Sequence, residues 1–260
     1  MSGCTISSEV TTPRVRSGRR RTEGWLRPGT AVLLWTGGKD SILALHEARA
    51  RGWSISALVT FGPGLGSFRA HPLRVMRMQA QALGLPHRLY RIRPPYRAAY
   101  RGVFRTLRDE GVEAIVTGDI APVDDRANWV RSIAEPLGLR VLAPLWHQDR
   151  MGLLRRLRPP TYEVVVSYVN TDRLDAAWVG RRIDADARRE LNTAFRERGV
   201  DPAGENGEYH TWTLDAPLFR SRLSLQRVSI RGDRRSRWLR AARLALIPKP
   251  GPTGTSRSNA

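Results

Sequence analysis

Cysteine is almost missing from this chain. Cys4 stands alone among 260 residues, which excludes an intramolecular disulfide framework and any Cys-rich zinc site. Lysine is nearly as scarce: Lys39 and Lys249 are the two present, so almost all of the 44 basic residues are arginine. So uniform a preference reads as the codon bias of a GC-rich genome. No run of eighteen apolar residues occurs, which excludes a transmembrane helix. The N-terminus lacks the apolar core of a secretory signal. No repeat of solenoid period is visible. A cytoplasmic protein with no membrane partner is the expectation.

What is present is charge, and a globular share of apolar residues. The net charge of +20 and hydrophobic content of 41% suit a basic protein with a packed core. Residues 1–29 carry +4, residues 231–260 carry +7, and the 201 residues between carry +9. The concentration toward the ends, with the arginine bias, argues for solvated tails over a nucleic-acid surface. Residues 1–29 and 248–260 are rich in Ser, Thr, Gly, Pro and Arg without apolar periodicity, and read as a disordered basic extension and a disordered tail. Between them we expect a nucleotide-binding domain at 30–146 and a substrate-binding lobe at 147–247.

The first of these alternates strand and helix. Apolar stretches at 31–35, 55–61, 113–117 and 140–143, together with the segment 87–92, read as strands. Helical spacing is expected over 40–51, 72–83, 96–110 and 124–137. Such alternation predicts an α/β fold with a five-stranded parallel sheet. The rhythm then changes to an α+β pattern. A short helix at 151–157, a strand at 162–169, a helix at 184–198 and strands at 212–214 and 224–230 are expected. Residues 237–246 fit a helix or a strand.

The strongest chemical signal lies where the first strand meets the first helix: Thr36-Gly37-Gly38-Lys39-Asp40-Ser41. Two glycines let the backbone approach an anion closely, and the following helix aims free N–H groups at the same point. Thr36 and Ser41 add hydroxyls, and Lys39 adds a cation expected to face ligand. Asp40 suits a helix cap or a magnesium contact. Asp40 follows Lys39 where a Walker A loop needs Ser or Thr, so this is a different phosphate grip. A bare Gly-Gly turn without ligand is the plainer alternative.

A second cluster, Gly204-Glu205-Asn206-Gly207-Glu208-Tyr209-His210-Thr211, packs carboxylates, an amide, an imidazole and a hydroxyl between glycines. Glu205, Glu208 and His210 suit a base, a metal ligand or a substrate orienter. Alone it also fits a polar surface turn.

Both clusters carry a resemblance. The first is similar to the S-G-G-x-D-S pyrophosphate loop of the ATP pyrophosphatases, with Thr36 for the usual Ser. The second, with Asp215-Ala216-Pro217-Leu218-Phe219 behind it, resembles the G-E-N-G-E-[FY]-H-T…D-x-P-L-F signature of the diphthine–ammonia ligase family. Gly118-Asp119-Ile120, Leu137-Gly138-Leu139 with Pro144-Leu145-Trp146, and Gly180-Arg181 resemble the family's intervening motifs. The likeness spans about residues 30–245. Ala203 departs from it, standing where relatives often have Cys.

The resemblance implies a sheet of the adenine-nucleotide α-hydrolase type. It also implies adenylation of a carboxylate by ATP, then attack by ammonia to give an amide, AMP and pyrophosphate. Thr36 to Ser41, His71, Gly118 and Asp119 would hold ATP, with Mg2+ on Asp40 and Asp119. Lys39, Glu205, Glu208 and His210 would be catalytic, and Asn206, Tyr209 and Thr211 would meet the acceptor, closing over it from a separate lobe. In the family that acceptor is diphthine on elongation factor two, and it applies here only if the source makes it. A tRNA-modifying enzyme with the same loop and a nucleotide-binding regulator without turnover are the alternatives. His46 reads as packing, and Trp35, Trp129 and Trp146 as core or interface.

Overall fold

The computed structural model describes residues 28–63, 68–122 and 128–249. The expectations for 1–27 and 250–260 fall outside the described residues. Strand β1 (Thr30–Leu34) leads into helix α1 (Lys39–Ala50), then β2 (Ser54–Pro63), α2 (Leu73–Leu83), β3 (His87–Ile92) and α3 (Tyr96–Asp109). Strand β4 (Ala114–Val116), α4 (Trp129–Ala134) and β5 (Arg140–Leu142) complete the first sheet. Its order is β3-β2-β1-β4-β5, and every pairing is parallel. The chain winds outward from β1 to β3, then resumes on the other side of β1 with β4. That reversal opens a crevice at the carboxyl ends of β1 and β4, where open α/β sheets bind ligands.

Apolar residues on both faces explain the parallel sheet. One face packs Ile42, Leu43 and Leu45 of α1 and Met76 and Leu83 of α2. The other packs Phe104 and Leu107 of α3 and Val130 and Ile133 of α4 against Val32, Val59 and Ile115. Helix α4 is shorter than the stretch expected over 124–137. Residues 123–127 are outside the description, and Pro136 tightens Glu135–Leu137 into a 3-10 turn.

The rest of the chain adds α5 (Arg150–Arg156), β6 (Glu163–Asn170), α6 (Ala185–Arg198), β7 (Tyr209–Asp215), β8 (Ser221–Gly232) and β9 (Ser236–Pro248). The side chain of Asp184 caps α6 by accepting from Ala187 N at 2.9 Å, and Gly199 ends it in the left-handed region. The four strands form an antiparallel sheet in the order β7-β6-β9-β8. The ambiguous segment at 237–246 is a strand. Strand β7 begins earlier than expected, so Tyr209, His210 and Thr211 lie in a strand paired with Val169, Tyr168 and Val166. The second sheet shares one continuous core with α1 and α2, through Trp212, Tyr209, Leu214 and Val166. Among the described residues, no helix is long and apolar enough to cross a membrane.

Candidate active site at the junction of the two sheets

The Gly-Gly turn sits at the crevice and is held from two directions. Gly37 adopts φ +76°, and a Cβ there would overlap the amide of Gln79. That amide, fully buried on α2, donates from Nε2 to both the Gly37 and Thr213 carbonyls at 2.8 Å. Thr213 N donates back to Gly37 O at 2.9 Å. Lys39 N donates to Thr211 Oγ1 at 3.0 Å. Strand β7 is therefore stitched to the turn. This corrects the expectation of two motifs on lobes with separate duties: they form one site.

The Lys39 side chain was expected to face ligand, and the structure corrects this. The residue is 4% exposed; Nζ lies 2.7 Å from Asp40 Oδ2, donates to the Ala203 carbonyl, and sits 5.4 Å from the Tyr209 ring centroid. Burial pulls its pKa down, but the charges of Asp40, Tyr209 and Glu205 outweigh it and the net shift is upward. The cation is thus locked in place beside the turn. Ser41 Oγ donates to the Gly38 carbonyl at 3.0 Å, so its proton braces the loop itself. Thr36 is exposed just beyond the carboxyl end of β1.

Across the crevice, Gly118 lies against the start of α1. A Cβ there would come within 2.9 Å of the Asp40 carbonyl carbon, so only glycine lets β4 end this close. Asp119 Oδ2 accepts from Asn128 Nδ2 at 3.0 Å. Burial pushes the Asp119 carboxyl upward against the opposing hydrogen bonds from Thr117 and Asn128, with Asp40 adding to the rise. Burial raises Asp40 too, opposed by Lys39. Among the described residues no group of three or more His, Cys, Asp and Glu is arranged to hold a metal ion. The Asp40–Asp119 pair offers two carboxylates, which matches magnesium only where substrate phosphates supply further oxygens.

The second cluster divides into groups that face the crevice and groups that build it. Glu205 reaches the Ile120 backbone, and its carboxyl is pushed up to about 7, first by burial and then by Asp40. A carboxyl of that pKa exchanges protons near neutrality. His210 packs 5.0 Å from His71 and 5.3 Å from Tyr168, ring to ring. Burial holds His210 down at about 4 and His71 at about 3, each aided by a neighbouring cation or imidazole, so both rings are neutral near pH 7. His71 Nδ1 is buried with no hydrogen-bond partner. Asn206 is exposed, its amide 3.4 Å from Glu208 Oε1.

Glu208, expected to be catalytic, is fully buried. Its Oε1 accepts from Asp201 N and its Oε2 from Asn206 N, both at 3.0 Å. Both oxygens are spent on backbone donors, so the structure assigns it to bracing the loop. Tyr209 and Thr211 are corrected likewise: the Tyr209 hydroxyl donates to Pro202 O at 2.6 Å, and Thr211 Oγ1 accepts from Lys39 N. Three contributors were not anticipated. Gln79 is one, detectable as a polar residue three positions after Met76 on an otherwise apolar face. Asp201 is another: it accepts from Ala203 N at 2.8 Å and pairs with Arg150 at 2.7 Å. Asn128, which orients Asp119, carried no sequence signal. Of the other aromatics, Trp35 is core, while Trp129 is exposed and packs 4.6 Å from Tyr100. His46 packs 5.4 Å from Tyr162.

Residues 29–141 match the family described as "Diphthamide synthase N-terminal domain", and residues 151–249 match "Diphthamide synthase C-terminal domain". The chain belongs to the diphthamide synthase family. Its similarity to other members is moderate. The diphthine–ammonia ligase of Schizosaccharomyces pombe is 29% identical over 223 residues, covering 74% of this chain but 35% of that longer protein. The diphthine–ammonia ligase of Homo sapiens is 28% identical over 218 residues, covering 73% of this chain and 80% of its own. A solved structure titled as a predicted subunit of tRNA methyltransferase, from Methanocaldococcus jannaschii, aligns at 16% identity. It covers 74% of this chain and 98% of its own, with a TM-score of 0.43. In this family member, both matched domains contribute to the site: the turn comes from the first and its hydrogen-bonding strand from the second.

Proposed function

We propose that this protein uses ATP to adenylate a carboxylate and then forms an amide with ammonia, releasing AMP and pyrophosphate. The observation that carries this reading is the direct union of the Thr36–Ser41 turn with the strand that bears His210 and follows Glu205. A nucleotide sensor would not need proton-transfer groups there, and the names of the relatives favour amide ligation over tRNA modification.

The chemistry follows from the charges. The turn's backbone and the Thr36 hydroxyl would meet the departing pyrophosphate, where negative charge grows as the acceptor oxygen attacks the α-phosphorus. The Lys39 cation, buried beside the turn, would act on that charge through the field it fixes there. Asp40 and Asp119 would share Mg2+ with the phosphates, and the ion would offset their charge. Ammonia then attacks the activated acyl carbon, the bond to AMP breaks, and the nitrogen sheds one proton. Glu205 is the group suited to take it, because its carboxyl titrates near neutrality. The neutral rings of His71 and His210 add an uncharged, hydrogen-bonding wall. Residues 30–146 supply the phosphate-binding turn in this reading and 147–247 the strand bonded to it, and together they would receive ATP and the acceptor, which is diphthine on elongation factor two where the source makes it. The work is done in the cytoplasm, where ATP and that acceptor are found.

Labelled ATP incubated with the protein, ammonium and an acceptor extract tests the scheme. AMP and pyrophosphate in equal amounts, with an ammonia-dependent amide detected by mass spectrometry, is the expected result. Stoichiometric ADP would refute it.

A further inference from the structure

Strands β8 and β9 carry charge that the fold does not use. Eight arginines lie between Arg222 and Arg243, and Asp233 is the one acid in that span. Asp233 is already engaged, by Arg69, Arg235 and Ser236. The register sorts the arginines. Arg227 pairs directly with Arg243, Ser229 with Arg240, and Arg231 with Trp238. Paired residues share a face, and so do alternate residues along a strand. A shift in register between Arg227 and Val228 absorbs one extra residue of β9 and keeps Arg243 opposite Arg227. Arg227, Arg231, Arg240 and Arg243 therefore project from one face. All four are exposed, and among the described residues none of their guanidinium groups has a hydrogen bond or ion pair. Like charges placed directly opposite destabilise a sheet, so the Arg227–Arg243 pair gains nothing for the fold.

We infer that this face of the β8–β9 ribbon binds the phosphate backbone of a nucleic acid. Successive rungs on one face are about 6.6–6.8 Å apart along a strand, close to the separation of neighbouring phosphates on an extended polynucleotide. The planar guanidinium fork matches phosphate oxygens two at a time. The exposed apolar residues of the ribbon, Val228 and Ile230, alternate onto the opposite face. The arginine face holds one aromatic, Trp238 opposite Arg231, half-buried and covered by Arg69. Among the described residues it has no exposed large apolar side chain of the kind a protein interface is built around, which favours a polynucleotide over an acidic protein. Many of the charges that read from sequence as part of a solvated tail are in fact held in register on a sheet. The ribbon also adjoins the site: Arg69 lies over Trp238 at 5.0 Å, and the next residue, Ala70, accepts from Trp212 Nε1 at 2.7 Å just before His71.

Fluorescence anisotropy with a labelled single-stranded RNA, and with a DNA duplex of equal length, tests the inference. The variant R227Q/R231Q/R240Q/R243Q is compared with R101Q/R105Q/R196Q/R198Q, which removes the same charge from exposed helix faces. The ribbon variant should lose roughly tenfold or more in affinity, and its salt slope should fall by about 3, since each single-strand phosphate contact contributes about 0.7. The control should change little, and both variants should keep the parental melting temperature. The ratio of RNA to duplex binding then names the form preferred. Equal losses in the two variants would overturn the inference by showing that net charge alone binds. Absence of binding to either probe, or competition by polyglutamate as strong as by RNA, would overturn it as well.

Discussion

Replacing Glu208 by Gln removes a charge from a place where two backbone N–H groups converge. The native carboxylate accepts from Asp201 N and Asn206 N, one on each oxygen, in a fully buried position. A Gln amide keeps one acceptor and turns its NH2 toward the other N–H, so one buried donor is left facing a donor. A hydrogen bond to a charged group is worth about 1.5–3 kcal/mol, and stranding a buried donor costs about 1–3 kcal/mol. A net loss of roughly 2–4 kcal/mol follows. For a protein of this size, about 2–4 °C is lost per kcal/mol, so the melting temperature should drop by roughly 4–16 °C. Because the braced loop also presents Ala203 O to Lys39, ATP affinity should fall together with amide formation. Thermal unfolding, calorimetric ATP binding and product mass spectrometry read the three effects. A variant with unchanged melting temperature and ATP affinity but no amide product would show that Glu208 acts on the acceptor, and the bracing role would be wrong.

Lys39→Ala should lower turnover about a hundredfold by removing a fixed charge beside the leaving pyrophosphate. It should also cost about 2 kcal/mol of stability, less than a wholly buried pair, because Asp40 is a quarter exposed; an unchanged melting temperature would contradict the packing described. Glu205 carries a raised folded-state pKa of about 7, so its contribution to stability is full below the unfolded value of 4.5 and is lost as pH rises through 7. Wild type should therefore lose stability relative to Glu205→Gln across that window, and the variant should lack the rising limb of activity centred near pH 7; superimposable pH profiles would refute the assignment. Gly118→Ala should impair ATP binding and folding, because its Cβ would meet Asp40 backbone, whereas Gly102→Ala, with open space around it, should leave binding intact and add about 0.5–1 kcal/mol from helix propensity. Equal behaviour of the two glycine variants by melting and calorimetry would remove the close-approach argument.

The first sheet was legible because its strands are short apolar runs, each closed by Gly or Pro, and its helices repeat apolar residues at 3.6. Strand β9 was not. Arg237, Arg240 and Arg243 recur at intervals of three, which imitates a helix, and the register shift at Arg243 breaks the alternation that marks a strand. Partner strands decide such a segment, and β8 and β6 are distant information. The start of β7 was hidden for the same reason: Tyr209, His210 and Thr211 look like loop until β6 lies beside them. The Thr36–Ser41 turn was readable since strand, turn and helix are local. The division of labour among Glu205, Glu208 and His210 was not, because it depends on which way each side chain turns. Glu208 turns inward to two amides, while Glu205 turns across to Ile120.

The hydrogen bonds between the sheets also decide how the site behaves as a unit. Gly37 O accepts from Gln79 and from Thr213, and Lys39 N donates to Thr211. Gln79 ties the same Thr213 residue through its carbonyl. No rotation of the turn can reorient Gly37 without breaking a bond to β7 or to α2. Each such bond is buried, so an unmade partner costs more than an exposed one. Strand β7 continues directly from the loop that holds Glu205 and carries His210 between Tyr209 and Thr211. The Thr36–Ser41 turn, Glu205 and His210 therefore share one hydrogen-bonded frame. A substitution that frees Gly37 should therefore displace His210 as well, so loss of nucleotide binding and loss of amide formation are expected together, which calorimetry and product mass spectrometry on the same variant would check.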